Sequence, residues 1–248
     1  MSHSIYMGYA ALQSRIDALE VLSNNLANSE ASGFKQNRFY FQVMDLLQDE
    51  DLTALGSAIN GPIVKTYNRT DFSEGSLTET GNGLDFALMG DGFFAIRTPQ
   101  GTRYTRNGDF SLDSEGRLVT VNGEFVLVQD PRGDQVLTIP PGELSVTPSG
   151  QVNVDGVSIG TLKIVSFQDL SQLSPAGRSL FSVPEGTSEI PPTSLNLAQG
   201  YLEESNVNPV KAVTEMITLM RSFEMLSQAV HSLTRDVDSR LINELARI

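Results

Sequence analysis

Residues 208–248 read NPVKAVTEMITLMRSFEMLSQAVHSLTRDVDSRLINELARI, and this stretch decides the architecture. Asn208 is a good N-cap and Pro209 suits the first turn, where its missing N–H costs nothing. Neither Gly nor Pro occurs beyond that point, so nothing halts a helix. Ala212, Met216, Leu219, Phe223, Leu226, Val230, Leu233 and Val237 succeed one another at alternating steps of four and three, which is the seam of a coiled coil. Val213, Ile217 and Met220 widen the apolar face, and Leu241, Leu245 and Ile248 continue it after a one-residue shift, as a stutter does. At about 1.5 Å per residue the helix is ~60 Å long. An ordinary small domain cannot cover it, so the seam reads as a surface for partner helices.

The other end of the chain repeats the pattern. Ile5, Tyr9, Leu12, Ile16, Leu19, Ser23 and Leu26 step by four and three, with only Ser23 out of character. Two seams of matching period predict that the terminal helices pair as a coiled coil. Twenty of the 21 glycines fall between Gly33 and Gly200, and ten of the 11 prolines between Pro62 and Pro192, so the turn-rich material is an insertion between helical ends. The expected class is α+β: long N- and C-terminal helices paired as a coiled coil, with an inserted all-β domain resembling a barrel or sandwich. The expected boundaries are an N-terminal helix over 1–30, a connector over 31–71, the β domain over 72–204 and a C-terminal helix over 205–248.

Within the insertion, short apolar runs such as 84–89, 93–97, 118–121 and 125–128 alternate with turn signals. These signals include Pro99-Gln100-Gly101, Asn107-Gly108, Ser114-Glu115-Gly116, Asn122-Gly123, Pro131-Arg132-Gly133 and Asp155-Gly156. Asn107-Gly108 and Asn122-Gly123 are the strongest hairpin signals. Residues 170–196, rich in Ser and Pro, read as an irregular loop. In the connector the signals are mixed: Phe39-Tyr40-Phe41 suits a short strand, Val43 to Leu47 a helical turn, and Asp49-Glu50-Asp51 a solvated acidic loop.

Composition narrows the function. A formal charge of −13 without clustered Lys and Arg argues against nucleic acid. Without Cys there is no disulfide framework, thiolate metal site or Cys nucleophile. No run approaches the length of a membrane span, and Met1 to Tyr9 lacks the basic and apolar regions of a secretory signal, so any export is expected to be signal-peptide-independent. His3 and His231 have no second ligand at metal spacing, and Gly81-Asn82-Gly83 lacks the third glycine of a dinucleotide loop. Asp109, Asp113 and Glu115 stand between hairpin turns, a solvated setting and not that of a catalytic carboxylate pair. Arg132-Gly133-Asp134 and the sequon Asn68-Arg69-Thr70 lack context. No catalytic, metal or cofactor-binding residue is therefore assigned, no cofactor is expected, and the chain is not expected to be an enzyme.

The residues themselves say more. Asn24-Asn25-Leu26-Ala27-Asn28, then Gly33-Phe34-Lys35 and Arg38, resemble the N-terminal signature of the bacterial flagellar rod and hook proteins. Gly90-Asp91-Gly92-Phe93-Phe94, followed by Tyr104 to Phe110 and Gly116 to Val119, resembles the central block of that family. Gln199 to Glu203, Ser205-Asn206-Val207-Asn208, Met216-Ile217 and Arg221 to Glu224 resemble its C-terminal signature. One departure is Ala31, where the family usually has Thr, so a hydroxyl cap in that turn is missing. Length and the short connector are most similar to the proximal rod members of the basal body, with the distal members next.

The resemblance implies a subunit of the flagellar basal-body rod that polymerises helically with copies of itself and related rod and hook proteins into a hollow, torque-transmitting shaft. It also implies export through the flagellar type III apparatus and a place in the periplasmic rod. The assembly interface would comprise Ile5, Tyr9, Leu12, Ile16, Leu19, Leu26 and the C-terminal seam from Ala212 to Val237. The alternative is a non-flagellar adhesin or tail-type binding module whose helices close a discrete oligomer.

Overall fold

Helix α1 spans Ser2–Ala27 and helix α2 Pro209–Leu245 in a computed structural model that describes residues 2–44, 63–129 and 133–245. The acidic run Asp49-Glu50-Asp51, most of the expected turn at 43–47, Arg132 and Ile248 lie outside the described residues. Asn208 caps α2 as its sequence suggests, its Oδ1 accepting the Lys211 N–H at 3.0 Å.

Strands β1 (Asn37–Met44) and β2 (Ile63–Thr70) form a two-stranded sheet. Phe39-Tyr40-Phe41 thus lie in a strand, and Val43 belongs to it and not to a helical turn. Next come β3 (Leu77–Glu79), β4 (Phe86–Met89), β5 (Phe93–Thr98), β6 (Gly101–Thr105), β7 (Phe110–Leu112), β8 (Leu118–Thr120) and β9 (Phe125–Gln129). They are followed by β10 (Gln135–Val136), β11 (Leu144–Val146), β12 (Gln151–Val154), β13 (Val157–Leu162) and β14 (Ile164–Val165). A 3-10 turn at Leu170–Gln172 leads to β15 (Ser174–Pro175), β16 (Leu180–Ser182), β17 (Asn196–Gln199) and β18 (Tyr201–Glu203).

The chain forms two compact units. The helical unit comprises Met1–Ala27, Asn37–Arg69 and Asn208–Ile248, and the sheet unit Asn28–Gln36 and Thr70–Val207.

The helical unit overturns the expected coiled coil. A heptad seam buries both rows of knobs, yet Tyr9 and Ile16 are exposed, and Leu12, Leu19 and Leu26 are only half-buried. Among the residues of α1 whose burial is described, the buried positions are Ser14, Ala18 and Asn25, none of them on the predicted seam. Along α2, Ala212 and Val230 are buried, whereas Met216, Leu219, Phe223 and Leu226 remain half-buried. The positions α1 does bury are small or polar, and a Cβ on Gly8 would stand 2.6 Å from Val230 Cγ2, so backbone meets side chain directly there and the large a/d residues are not the buried ones. What stands is one N-terminal and one C-terminal helix in one unit and a large antiparallel sheet in the other.

In the sheet unit twelve strands form one antiparallel sheet whose main path runs β11-β12-β13-β9-β5-β6-β16-β15, with β10, β14, β7 and β8 branching from it. Its ends do not meet, so it is not a closed barrel but one large, branched antiparallel sheet. Separate pairs join β17 to β4 and β18 to β3. Side chains alternate across a strand, and both faces are covered. Phe94, Ile96, Val126 and Val128 enter one apolar cluster, while Phe93, Ala95 and Leu127 enter a second with Tyr104, Phe167 and Phe181. Burial on both faces is why the β5 and β9 sequences read as continuous apolar runs instead of alternating ones.

Asn122-Gly123 does turn β8 into β9, with the Gly123 N–H bonded to the Thr120 carbonyl at 2.8 Å. Asn107-Gly108 does not make a hairpin. Its Asn closes an Asx turn onto the Asp109 N–H at 2.9 Å, and the Gly108 carbonyl accepts the Phe86 N–H at 3.0 Å. The same dipeptide chemistry served a strand crossing. The 170–196 stretch, read as loop, holds the β15–β16 hairpin.

Candidate assembly interface and buried charge cluster

The three sequence blocks meet in the sheet unit around a buried carboxylate. Lys35 Nζ stands 2.5 Å from Glu203 Oε1, with both side chains essentially inaccessible. Glu203 Oε1 also accepts the Gly75 N–H at 2.9 Å, and Lys35 Nζ donates to the Ser73 carbonyl at 2.7 Å. Arg106 Nη1 lies 3.8 Å from Glu203 Oε2. Its Nη2 donates to the Gly90 carbonyl at 2.8 Å, and its guanidinium carbon stands 5.1 Å from the centre of the Phe93 ring. Burial pulls the Lys35 ammonium below the ordinary lysine range, against the opposing pull of Glu203. The Arg106 guanidinium is pushed the same way by burial. Two cations around one carboxylate leave Arg106 Nε and Glu203 Oε2 buried without a hydrogen-bond partner.

Most motif residues have structural duties in this junction. Gly33 adopts a left-handed φ of 65°, and a Cβ there would meet the Asn107 backbone nitrogen at 2.3 Å. Phe34 is buried. Asn206 Oδ1 accepts the Gln36 N–H at 2.7 Å while its Nδ2 donates to the carbonyls of Asp71 and Ser73 at 2.8 and 3.1 Å. Gly90 accepts a left-handed φ of 89° with Ser194 O at 2.4 Å from where a Cβ would stand. At Gly92 the neighbour is Ile164 Cγ2, at 2.9 Å. Phe93 and Val207 are buried, and Ser205 Oγ accepts the Val207 N–H at 3.2 Å. Asn28 closes a turn by accepting the Ala31 N–H at 3.2 Å, and Ala27 is exposed. In the helical unit, Asn25 is fully buried and bonded to the backbone of Asn37.

The expected assembly residues divide by exposure. The half-buried row from Met216 to Leu226 lies between buried Ala212 and Val230. Val210, Val213, Ile217 and Met220 form a second, exposed row on α2; Met225 on α2 and Met7, Tyr9 and Ile16 on α1 are exposed as well. Val210 and Met225 are absent from the sequence reading, although Val210 continues the row Val213-Ile217-Met220 by one step of three. Ile5, Leu233 and Val237 lie on the helices.

The other sequence candidates are tied up locally. Asp113 and Glu115 pair with Arg117 at 2.7 and 3.0 Å, and Asp134 pairs with Lys163 at 2.7 Å. His231 is exposed on α2, and Asn68-Arg69-Thr70 lies in β2. Among the described residues no group of three or more His, Cys, Asp or Glu could hold a metal ion, and no helix is long and apolar enough to cross a membrane.

The flagellar hook protein FlgE/F/G D1 domain matches residues 87–154, and the flagellar basal body rod FlgEFG protein C-terminal region matches residues 198–239. The flagellar basal-body rod protein FlgF of Caulobacter vibrioides is 31% identical over 255 residues, covering 100% of both chains. FlgF of Mesorhizobium japonicum is 34% identical over 90% of each chain. FlgG of Agrobacterium fabrum is 33% identical over 86% of this chain and 88% of its own. FlgF and FlgG relatives match to the same degree, so overall similarity, on which the preference for a proximal rod member rested, does not separate the two.

Proposed function

Since the chain belongs to the flagellar basal-body rod protein family and is a structural subunit of that rod, we propose that it polymerises helically with copies of itself and related rod and hook proteins through its two helices. The subunits join head to tail in contacts that do not close, which yields a filament and not a ring. The shaft so formed is hollow and transmits torque, since close-packed side chains tolerate little displacement. The chain carries out no reaction. It is exported through the flagellar type III apparatus and takes its place where the rod crosses the periplasm.

The observation that carries this reading is the exposed apolar row Val210, Val213, Ile217 and Met220 on α2. Contiguous apolar surface of this kind marks an interaction site, and a neighbouring subunit covers it without any change in the sheet unit. The expected interface is the one named from the sequence, Ile5, Tyr9, Leu12, Ile16, Leu19 and Leu26 with Ala212, Met216, Leu219, Phe223, Leu226, Val230, Leu233 and Val237, extended by this row. The relatives are rod proteins, which gives the adhesin or tail-module alternative no support.

The experiment replaces Ile217 with Asp in the full-length chain and follows secretion, incorporation into basal bodies and motility. Burial of a lone carboxylate at a packed contact is costly, so the variant is expected to fold and leave the cell but not to enter rods. Normal rods built from it would overturn the assignment. Sedimentation of the wild-type chain supplies a second arm: a monomer at low concentration supports the filament reading, a discrete closed oligomer the alternative.

A further inference from the structure

The sheet unit is held together in two chemically different ways. Every buried residue of its two apolar clusters lies between Phe86 and Phe181, apart from Leu197. Residues 28–36 contribute nothing to those clusters. Apart from the buried Phe34, their attachments are polar, and beyond the bonds to Asp71 and Ser73 they run to the far end of the unit. The Gly33 N–H donates to the Glu203 carbonyl at 2.7 Å, Lys35 pairs with the Glu203 carboxylate, the Asn206 N–H donates to the Phe34 carbonyl at 3.4 Å, and the Gln36 N–H donates to Asn206. Strand β3, which pairs with β18, is exposed along its whole length, so that pair gains little from apolar burial.

From this arrangement we infer that Glu203 is a closing latch: β17 and β18 are the last strands of the sheet unit to dock, and residues 28–36 stay undocked until they arrive. Before Glu203 is in place, docking residues 28–36 brings the Lys35 ammonium and the Arg106 guanidinium into one dry site without the carboxylate that acts on both most strongly, leaving only the weaker pull of Glu74 and, on Arg106, Asp91. Like charges buried without a partner are strongly unfavourable. Most of the backbone bonds that would offset this are also missing, because residues 203–206 supply three of them and only the Asp71 N–H to the Gln36 carbonyl is independent of that segment. The sheet core from Phe86 to Phe181 has no such dependence. Lys35 and Glu203 are 168 residues apart in sequence, so a chain presented N-terminus first, as in synthesis, keeps its first motif free until nearly all of the unit has emerged. The completed junction then marks a completed unit.

Two measurements on the full-length chain test this. In stopped-flow folding, Glu203→Gln is expected to speed unfolding about 10-fold or more and leave refolding within about twofold, because a contact absent from the transition state acts on unfolding alone. Ile96→Val in β5 is expected to slow refolding. Should Glu203→Gln not refold, Leu197→Val in β17, a milder change in the same segment, takes its place. In hydrogen exchange of the wild-type protein, the Gly33 and Glu204 amides are expected to exchange through a smaller opening than the Ala95 and Leu118 amides. A Glu203 or Leu197 variant that slows refolding in proportion to its loss of stability, or amides of both sets exchanging together by global unfolding, would overturn the latch.

Discussion

Asn25 serves Asn37 as a strand would. Its Nδ2 donates to the Asn37 carbonyl at 2.7 Å and its Oδ1 accepts the Asn37 N–H at 2.9 Å, so one fully buried amide satisfies both backbone groups of the residue that opens β1. Asn25→Ala orphans both groups and is expected to lower the stability of the helical unit by about 1–3 kcal/mol in urea unfolding. Asn25→Asp keeps the acceptor but sets a carboxylate oxygen against a carbonyl, so it is expected to be no milder. Ser23→Ala, at an exposed position two residues earlier, serves as the control and should stay within about 0.5 kcal/mol of wild type.

A second prediction concerns the approach of the helices. Gly8→Ala would place a Cβ at 2.6 Å from Val230 Cγ2, closer than carbon atoms come, so α1 and α2 must separate locally. Overpacking of this kind costs about 1–3 kcal/mol. Val230→Ala alone leaves a gap at a buried site and also destabilises. Combined, the two changes add one methyl and remove two, among them the Cγ2 that blocks the new Cβ, and the double variant is expected to be more stable than the sum of the singles predicts, by at least about 0.5 kcal/mol. Additive effects would mean that the two residues do not meet.

How far the sequence carried this fold can be seen at the same residues. Long helices at both ends were legible because Pro209 and Asn208 start one and no breaker interrupts it. The coiled coil was not, because a step of four and three marks which residues are apolar and says nothing of which face a Gly or Ala will allow to come close. The β character of 72–204 followed from its turns, yet Asn107-Gly108 failed as a hairpin. Turn chemistry sets a local bend, while pairing of Gly108 with Phe86 is decided by residues far along the chain. The motif residues Gly33, Lys35 and Asn206 were found by resemblance, and their partners Arg106 and Glu203 lay inside quoted blocks. Nothing in one sequence joins Lys35 to Glu203, since spacing rules reach only a few turns and these two are brought together by β18 pairing with β3.

Gly33 and Gly123 both adopt left-handed backbone, with φ of 65° and 84°, but only one is hemmed in. A Cβ on Gly123 meets nothing within 4 Å, whereas on Gly33 it meets backbone atoms of Arg106 and Asn107 at 2.5 and 2.3 Å. Gly123→Ala therefore carries the conformational cost alone, about 1–2 kcal/mol. Gly33→Ala adds a clash with backbone that cannot swing away, and a loss above about 4 kcal/mol or failure to fold is expected. Thermal unfolding of the two variants side by side tests the difference; equal losses would remove the argument from crowding.

The last prediction is a pH dependence. The buried Tyr104 hydroxyl donates to Glu189 Oε1 at 2.6 Å, and Lys163 Nζ holds the other carboxylate oxygen at 2.6 Å. Burial first, then the neighbouring carboxylate, push the Tyr104 phenol well above its ordinary value. A group whose value in the folded state is raised stabilises the fold fully below its unfolded value, here about 10, and loses that contribution as pH climbs toward the folded value. Tyr104→Phe removes both the hydrogen bond and the titration. The variant is expected to be less stable than wild type by about 1–2 kcal/mol near pH 7, and the gap should shrink as pH rises from about 10 toward 12 because only the wild type pays for a buried phenolate. Lysines remote from Glu189 titrate over the same range in both proteins and cancel in the difference, while Lys163, which shares Glu189 with Tyr104, is removed in both by Lys163→Met as a control background. Urea midpoints of the pair across that range decide it, and a gap that stays constant with pH would show that Tyr104 does not donate to Glu189 in the folded protein.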